Sequence, residues 1–155
     1  MATQFAPAIE LTPHDPPMLF VDEILDWEDE FIRTRSVVRP DNPLFVPGRG
    51  LPAYAGVEYM AQSISVHDGW RLRLLGEPPH LGFLLGTRKY DAIRDWFGEG
   101  EALYTDVRVL MNDGEFRSFE CVIRDFRGTT LAQAALNVFR PDDPVAFLAK
   151  SAEPI

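Results

Sequence analysis

The sequence predicts an α+β fold in which one long helix lies between early strands and a run of antiparallel strands. Three observations carry this. Over residues 53–75, Val57, Met60, Ala61, Ile64 and Leu72 recur near the 3.6-residue period, with Pro52 before them and Gly76 and Pro78-Pro79 after. Residues 102–111 and 116–125 read as strands joined by Asn112-Asp113-Gly114, residue types that tolerate the positive φ of a tight hairpin. Residues 129–139 follow Arg127-Gly128 as a further strand, with Leu131, Ala135 and Phe139 on alternating positions. A sheet of this kind buries its apolar face against the helix.

The remaining elements follow in chain order. Pro13, Pro16 and Pro17 interrupt the chain before MLFVDEILDW, where residues 18–27 suit a short helix or an entry strand. Residues 31–38 read as a strand that stops at Arg39-Pro40, because the residue before proline is steered to extended geometry. Residues 41–52 hold Pro43, Pro47, Gly48, Gly50 and Pro52, too many breakers for a regular element. The helix of residues 53–75 would be roughly 33 Å long at about 1.5 Å per residue, with Gly69 its weak point. Residues 81–88 form another strand candidate, and Pro141 and Pro144 close the last one. The sheet has a free edge, which invites pairing between subunits.

Composition bounds the function. At 155 residues the chain suits a single domain spanning residues 1–155, and 46% hydrophobic content with 12% aromatic residues argues for a packed core. A net charge of −9 disfavours nucleic acid, which needs a concentrated basic face; Arg71, Arg73, Arg88, Lys89 and Arg94 are the cations nearest to one, with Asp91 and Asp95 between them. No apolar run reaches the length of a membrane span, so no membrane insertion is expected. The first residues show no basic segment followed by an apolar block, hence no visible secretory signal. The lone Cys121 excludes an internal disulfide, suits a reducing cytoplasm, and sits in an alternating context that predicts burial.

Familiar catalytic and cofactor motifs are missing. There is no phosphate loop, GxGxxG or GxSxG, and one Cys with three dispersed His cannot make a structural zinc site. No cofactor or metal is expected. What stands out is the junction of the Pro/Gly-rich loop with the helix. A helix start presents unpaired N–H groups and partial positive charge, suited to a carbonyl or an oxyanion. Glu58 lies about one and a half turns inside it, and Tyr54, Gln62 and, less closely, Ser65 share its stripe, while Val57, Met60, Ala61 and Ile64 face elsewhere. Covered by the sheet, Glu58 would be desolvated and its pKa raised, which suits a general acid. The alternative is an ordinary exposed helix residue.

Over nearly its whole length the chain resembles hot-dog-fold 3-hydroxyacyl-carrier-protein dehydratases. The resemblance lies in Pro13-His14-Asp15 with Leu19-Phe20-Val21-Asp22, then Val46-Pro47-Gly48, Pro52 and Glu58-Tyr59-Met60-Ala61-Gln62. Gly82-Phe83-Leu84-Leu85-Gly86 and Gly100-Glu101-Ala102-Leu103 extend it, and the dehydratase-like subunits of aryl-polyene pathways are the most similar. It implies a hot-dog domain acting on an acyl-carrier-protein thioester, with a His taking the α-proton, an acidic residue protonating the departing β-hydroxyl, and helix-start N–H groups holding the thioester carbonyl. Such sites draw residues from both subunits of a dimer.

Carried over, Glu58 is the acid and Pro52-Ala53 takes the place of the family's Pro-Gly. The family's His has no counterpart, since Leu44 or Phe45 falls at its position, depending on the alignment of the loop. Ala53, Tyr54, Gln62, Phe45 and His14 are the expected substrate-binding residues. His67, nine residues past Glu58, lies on the opposite helix face and reads as polar surface; His80 reads as an exposed loop residue. Phe45, Tyr54, Trp70, Phe83, Tyr90, Trp96 and Phe97 suit either a wide acyl chain or the core. The resemblance therefore implies a homodimer or, to complete a site, a heterodimer in which a His-bearing hot-dog partner meets Glu58. Two other readings stay open: a non-catalytic acyl-binding subunit, and a thioesterase whose helix carboxylate activates water.

Overall fold

A computed structural model describes residues 4–78 and 82–141. One helix packs against a six-stranded antiparallel sheet, the arrangement expected of a hot-dog domain. Strands β1 (Glu23–Glu28) and β2 (Phe31–Val37) form a hairpin. A two-residue strand β3 (Leu51–Pro52) and a 3-10 turn (Ala53–Ala55) lead into helix α1 (Gly56–Leu74). Then come β4 (Phe83–Ala92), the short β5 (Trp96–Phe97), β6 (Ala102–Asn112), β7 (Phe116–Arg124) and β8 (Thr130–Phe139). The sheet runs β1-β2-β6-β7-β8-β4, so β1 and β4 are its edges.

The strands form where period-two burial is written into them. Leu103, Thr105 and Val107 of β6 face inward, as do Phe119, Cys121 and Ile123 of β7 and Ala132, Ala134, Leu136 and Val138 of β8. The hairpin between β6 and β7 closes as the residues predict. Gly114 takes φ of 102°, its N–H donates to Asn112 Oδ1 at 2.9 Å, and Phe116 N–H donates to Asp113 Oδ1 at 2.9 Å. Cys121 is fully buried, and burial pushes its thiol well above the usual range. The stretch expected to lack regular structure does contain β3, which pairs with β5 through Leu51–Phe97 and Pro52–Trp96. That small ladder fixes where the chain turns into α1.

The helix is buried on more than the sheet side. The segment before β1 crosses it, burying Ala8, Leu11, Phe20 and Val21. This corrects the expectation for His67, which is 1% exposed, not polar surface. Its ring stacks on Trp27 with centroids 5.4 Å apart, and Nε2 lies 2.8 Å from the Glu28 carbonyl. Because the helix is covered on two sides, His67, Gln62, Ser63 and Asp68 are all buried on it. His80 lies outside the described residues. Among the described residues, no helix is long and apolar enough to cross a membrane.

Gly69 is less a weak point of the helix than a contact. A Cβ there would meet the Leu11 carbonyl oxygen at 1.8 Å, so the crossing segment rests directly on the helix backbone. Gly69→Ala should therefore destabilise by about 1–3 kcal/mol in urea unfolding, outweighing the roughly 1 kcal/mol that Ala gains in helix propensity. Gly98→Ala, where a Cβ meets nothing within 4 Å, is the neutral control. A stabilised Gly69→Ala would show that the segment does not pack as described.

Burial pushes the His67 imidazole down to about 4. The folded protein holds it neutral while the unfolded chain takes up a proton near pH 6.5. Its contribution is therefore complete above pH 6.5 and lost as pH falls toward 4, by roughly 3 kcal/mol. In unfolding measured from pH 7 to 4, His67→Gln should lack this part of the acid destabilisation; an unchanged pH profile would contradict it.

Candidate functional site

A cavity of about 340 Å³ opens beside α1. One wall is a helix stripe, Glu58, Ala61, Ser65 and Asp68, spaced i, i+3, i+7, i+10 and flanked by Ile64. The facing wall is a row across three strands: Leu84 of β4 is in register with Val138 of β8, and Val138 with Arg117 of β7. Pro13 and His14 close one part of the rim and Arg140 another. Ala61 and Ile64, expected to face away from Glu58, share the cavity with it.

Glu58 sits in this wall half-buried, its side chain 38% exposed. Gln62, one turn on, is wholly buried and makes four contacts. Its Nε2 donates to Glu58 Oε1 at 2.9 Å and to the Met18 carbonyl at 2.8 Å. Its Oε1 accepts from Phe20 N–H at 2.7 Å and Val21 N–H at 3.4 Å. Gln62 therefore does not line the cavity but aims the carboxylate and joins the crossing segment to the helix. The complete desolvation expected for Glu58 is not supplied by this chain alone.

His14 is brought to Glu58. Its Nε2 lies 3.9 Å from Glu58 Oε1, and its Nδ1 lies 2.7 Å from Thr12 Oγ1, which is 2.9 Å from Ser65 Oγ. A hydroxyl chain anchored on the helix thus fixes the ring. With the proton on Nδ1 and donated to Thr12, Nε2 is an acceptor turned toward the carboxylate. The 3.9 Å gap exceeds a direct hydrogen bond, and one oxygen about 2.8 Å from both groups fits between them.

The cavity also has a charged end that the sequence analysis missed. Asp68 is 5% exposed and Arg117 3%. Asp68 Oδ1 accepts from Arg117 Nη1 at 3.3 Å and Arg140 Nη1 at 2.9 Å, and its Oδ2 accepts from Arg140 Nη1 at 2.8 Å. Burial works to raise the Asp68 pKa, but the two guanidinium groups outweigh it and hold the carboxyl below its usual value. Burial likewise pulls Arg117 below its ordinary value, opposed by Asp68. The readable signal was an arginine on an inward strand position, followed at alternate places by Phe119 and Cys121.

Besides Gln62, three more of the expected substrate contacts do not reach this cavity. The Ala53 N–H donates to the Asp95 carbonyl at 2.8 Å, so it is not free to hold a thioester oxygen, and the Ala53 carbonyl accepts from the Tyr90 hydroxyl. The Tyr54 side chain is 65% exposed, because it projects from the 3-10 turn away from the core. Phe45 packs partly buried against the core. Of the aromatic set, Phe97 is fully buried, Trp70 packs edge-on against Phe5, and none lines the cavity among the residues whose side chains are described. Among the described residues, no three or more His, Cys, Asp or Glu side chains cluster so as to hold a metal ion.

Comparisons with known proteins place the chain by family and fold. No curated protein matches the chain. Among solved structures, the dehydratase heterocomplex ApeI:P from Xenorhabdus doucetiae matches with a TM-score of 0.88 and 28% identity, over 97% of this chain and 100% of that one. A hypothetical thioesterase with coenzyme A from Streptococcus pneumoniae matches at a TM-score of 0.59 and 13% identity, over 77% and 84% of the two chains. The PaaI protein of E. coli, from the phenylacetic acid degradation operon, matches at 0.58 and 11%, over 77% and 78%. The latter two share the fold alone. The model of the ApeP-like family, described as ApeP dehydratase, matches residues 6–149, and the chain belongs to that family.

Proposed function

We propose that this protein is the acid-bearing subunit of a dehydratase acting on 3-hydroxyacyl thioesters of an acyl carrier protein. One observation carries the reading: Glu58 is held by buried Gln62 at the wall of a cavity of about 340 Å³, with its carboxylate still open on one side. In the reaction a base removes the α-proton, the electron pair forms the 2,3 double bond, and Glu58 protonates the departing β-hydroxyl to release water.

The base arrives from a histidine of a second hot-dog subunit. Both sheet edges are bulged, β1 once and β4 twice, so they differ in the side chains they offer a partner. β1 carries Glu23, Asp26 and Glu28, charges that discourage pairing. β4 exposes Leu84 and Leu85, and Leu84 borders the cavity. A subunit paired along β4 covers the open side of the cavity and completes the desolvation of Glu58. That the similar ApeI:P dehydratase is a heterocomplex supports a site completed by a second subunit.

A second reading rests on one distance, the 3.9 Å between His14 Nε2 and Glu58 Oε1, which places a base and an acid within one chain. Dehydration of a 3-hydroxyacyl carrier protein separates the two. With the partner's base, the isolated protein is slow, and adding the His-bearing subunit raises the rate by about 10²–10⁴-fold, in a manner abolished by Glu58→Gln. With the internal base, the isolated protein is active and His14→Asn removes that activity. A reconstituted complex in which Glu58→Gln dehydrates as fast as wild type would leave this chain as an acyl-binding scaffold. Thioester hydrolysis by the isolated protein would make it a thioesterase instead.

A further inference from the structure

We propose that Asp68, Arg117 and Arg140 form a subsite for the distal end of the acyl tail, selecting tails that end in an oxygen acceptor over tails that end in methyl. The identity of the ligand as an acyl thioester rests on the function proposed above; the selection itself rests on the cluster.

A cavity meant for a plain alkyl tail ends in apolar side chains. This one ends in two guanidinium groups that share a single carboxylate. Asp68 neutralises one of them, which leaves one positive charge without a described counterion. Arg117 occupies an inward position of β7 opposite Val138, and its Nε is buried with no hydrogen-bond partner among the described residues. A buried ion pair is no more stable than a well-packed apolar pair, so stability alone does not account for arginines here. Arg140, half-buried at the rim, is the more accessible of the two and still has room to meet a ligand.

The spacing suits a single extended ligand. Glu58 and Asp68 are ten residues apart on one stripe of α1, about 15 Å along the helix axis. A thioester placed with its β-hydroxyl at Glu58 runs its tail past Ala61, Ile64 and Val138 toward Arg140. A methyl end would desolvate the part of Arg140 turned away from Asp68 without giving it a second partner. A hydroxyl or carboxylate oxygen supplies one, and the carboxylate also balances the surplus charge.

Binding separates this proposal from the reaction. Non-hydrolysable pantetheine amides of equal length, ending in methyl, hydroxymethyl or carboxylate, are titrated calorimetrically into the full-length protein. The carboxylate and hydroxyl ligands should bind about 10–100-fold more tightly than the methyl one, with the carboxylate preference weakening as salt is raised. Arg140→Met, which keeps the Arg117–Asp68 pair and so the buried charge balance, should bring the three within about threefold, while Arg140→Lys retains part of the carboxylate preference. Equal affinities in the wild type, or a preference that survives Arg140→Met, would overturn the subsite and leave the cluster as an internal ion triad. Neither result depends on whether Glu58 dehydrates anything, which the activity of Glu58→Gln reports separately.

Discussion

The buried amide of Gln62 is the joint on which the site is built. Its oxygen receives the backbone N–H groups of Phe20 and Val21, and its nitrogen reaches both the Met18 carbonyl and Glu58. An amide wholly out of water must satisfy its donors and acceptor, so these partners hold their places. The segment from Thr12 to Val21 is thereby laid along α1. That is why Thr12 meets Ser65, why His14 turns its Nε2 toward Glu58, and why the carboxylate faces the cavity instead of ranging over the surface. Gly69 serves the same end, giving Leu11 the room to rest on the helix.

The resulting cavity is charged at both ends and mostly apolar between, with the Ser65 hydroxyl the exception. One end offers a half-buried carboxylate and an imidazole 3.9 Å away, the other a carboxylate flanked by two guanidinium groups. Between them lie Ala61, Ile64, Leu84 and Val138. The cavity borders the open edge of β4, so on the proposed function the chemistry at Glu58 and an assembly along that edge would be two aspects of one arrangement. A subunit seated there would exclude water from the acid and so strengthen every charge interaction inside.

Much of this was legible in the sequence, and particular residues show where legibility ends. The helix and the strands of the sheet announced themselves through period and punctuation, and Gly114 marked the tightest turn. Glu58 and His14 were reached through motifs whose order resembles the dehydratases. His67 was misread because nine residues of helix give its direction but not what covers it, and the segment that buries it lies about forty positions earlier in the chain. Ala53 and Tyr54 were drawn to the site by their place at the helix start. The structure spends the Ala53 N–H on Asp95 and turns Tyr54 outward, both decided by the β3–β5 ladder, which two-residue strands barely signal. The Asp68 cluster was invisible for a similar reason: its members come from α1, from β7 and from the residue just past the end of β8, and only the register of β7 on β8 aligns them. Arg117 alone, a charge among inward-facing apolar neighbours, gave a hint.

The central claim is that Glu58 meets the β-hydroxyl of an acyl thioester inside this cavity. Its most direct test is a crystal structure of the protein, alone or with its partner subunit, bound to a 3-hydroxyacyl pantetheine amide that cannot be hydrolysed. The account predicts the 3-hydroxyl oxygen about 3 Å from a Glu58 carboxylate oxygen, with the tail lying along Ala61 and Ile64 toward Arg140. A ligand seated elsewhere on the molecule, with the Glu58 carboxylate surrounded by water, would contradict it.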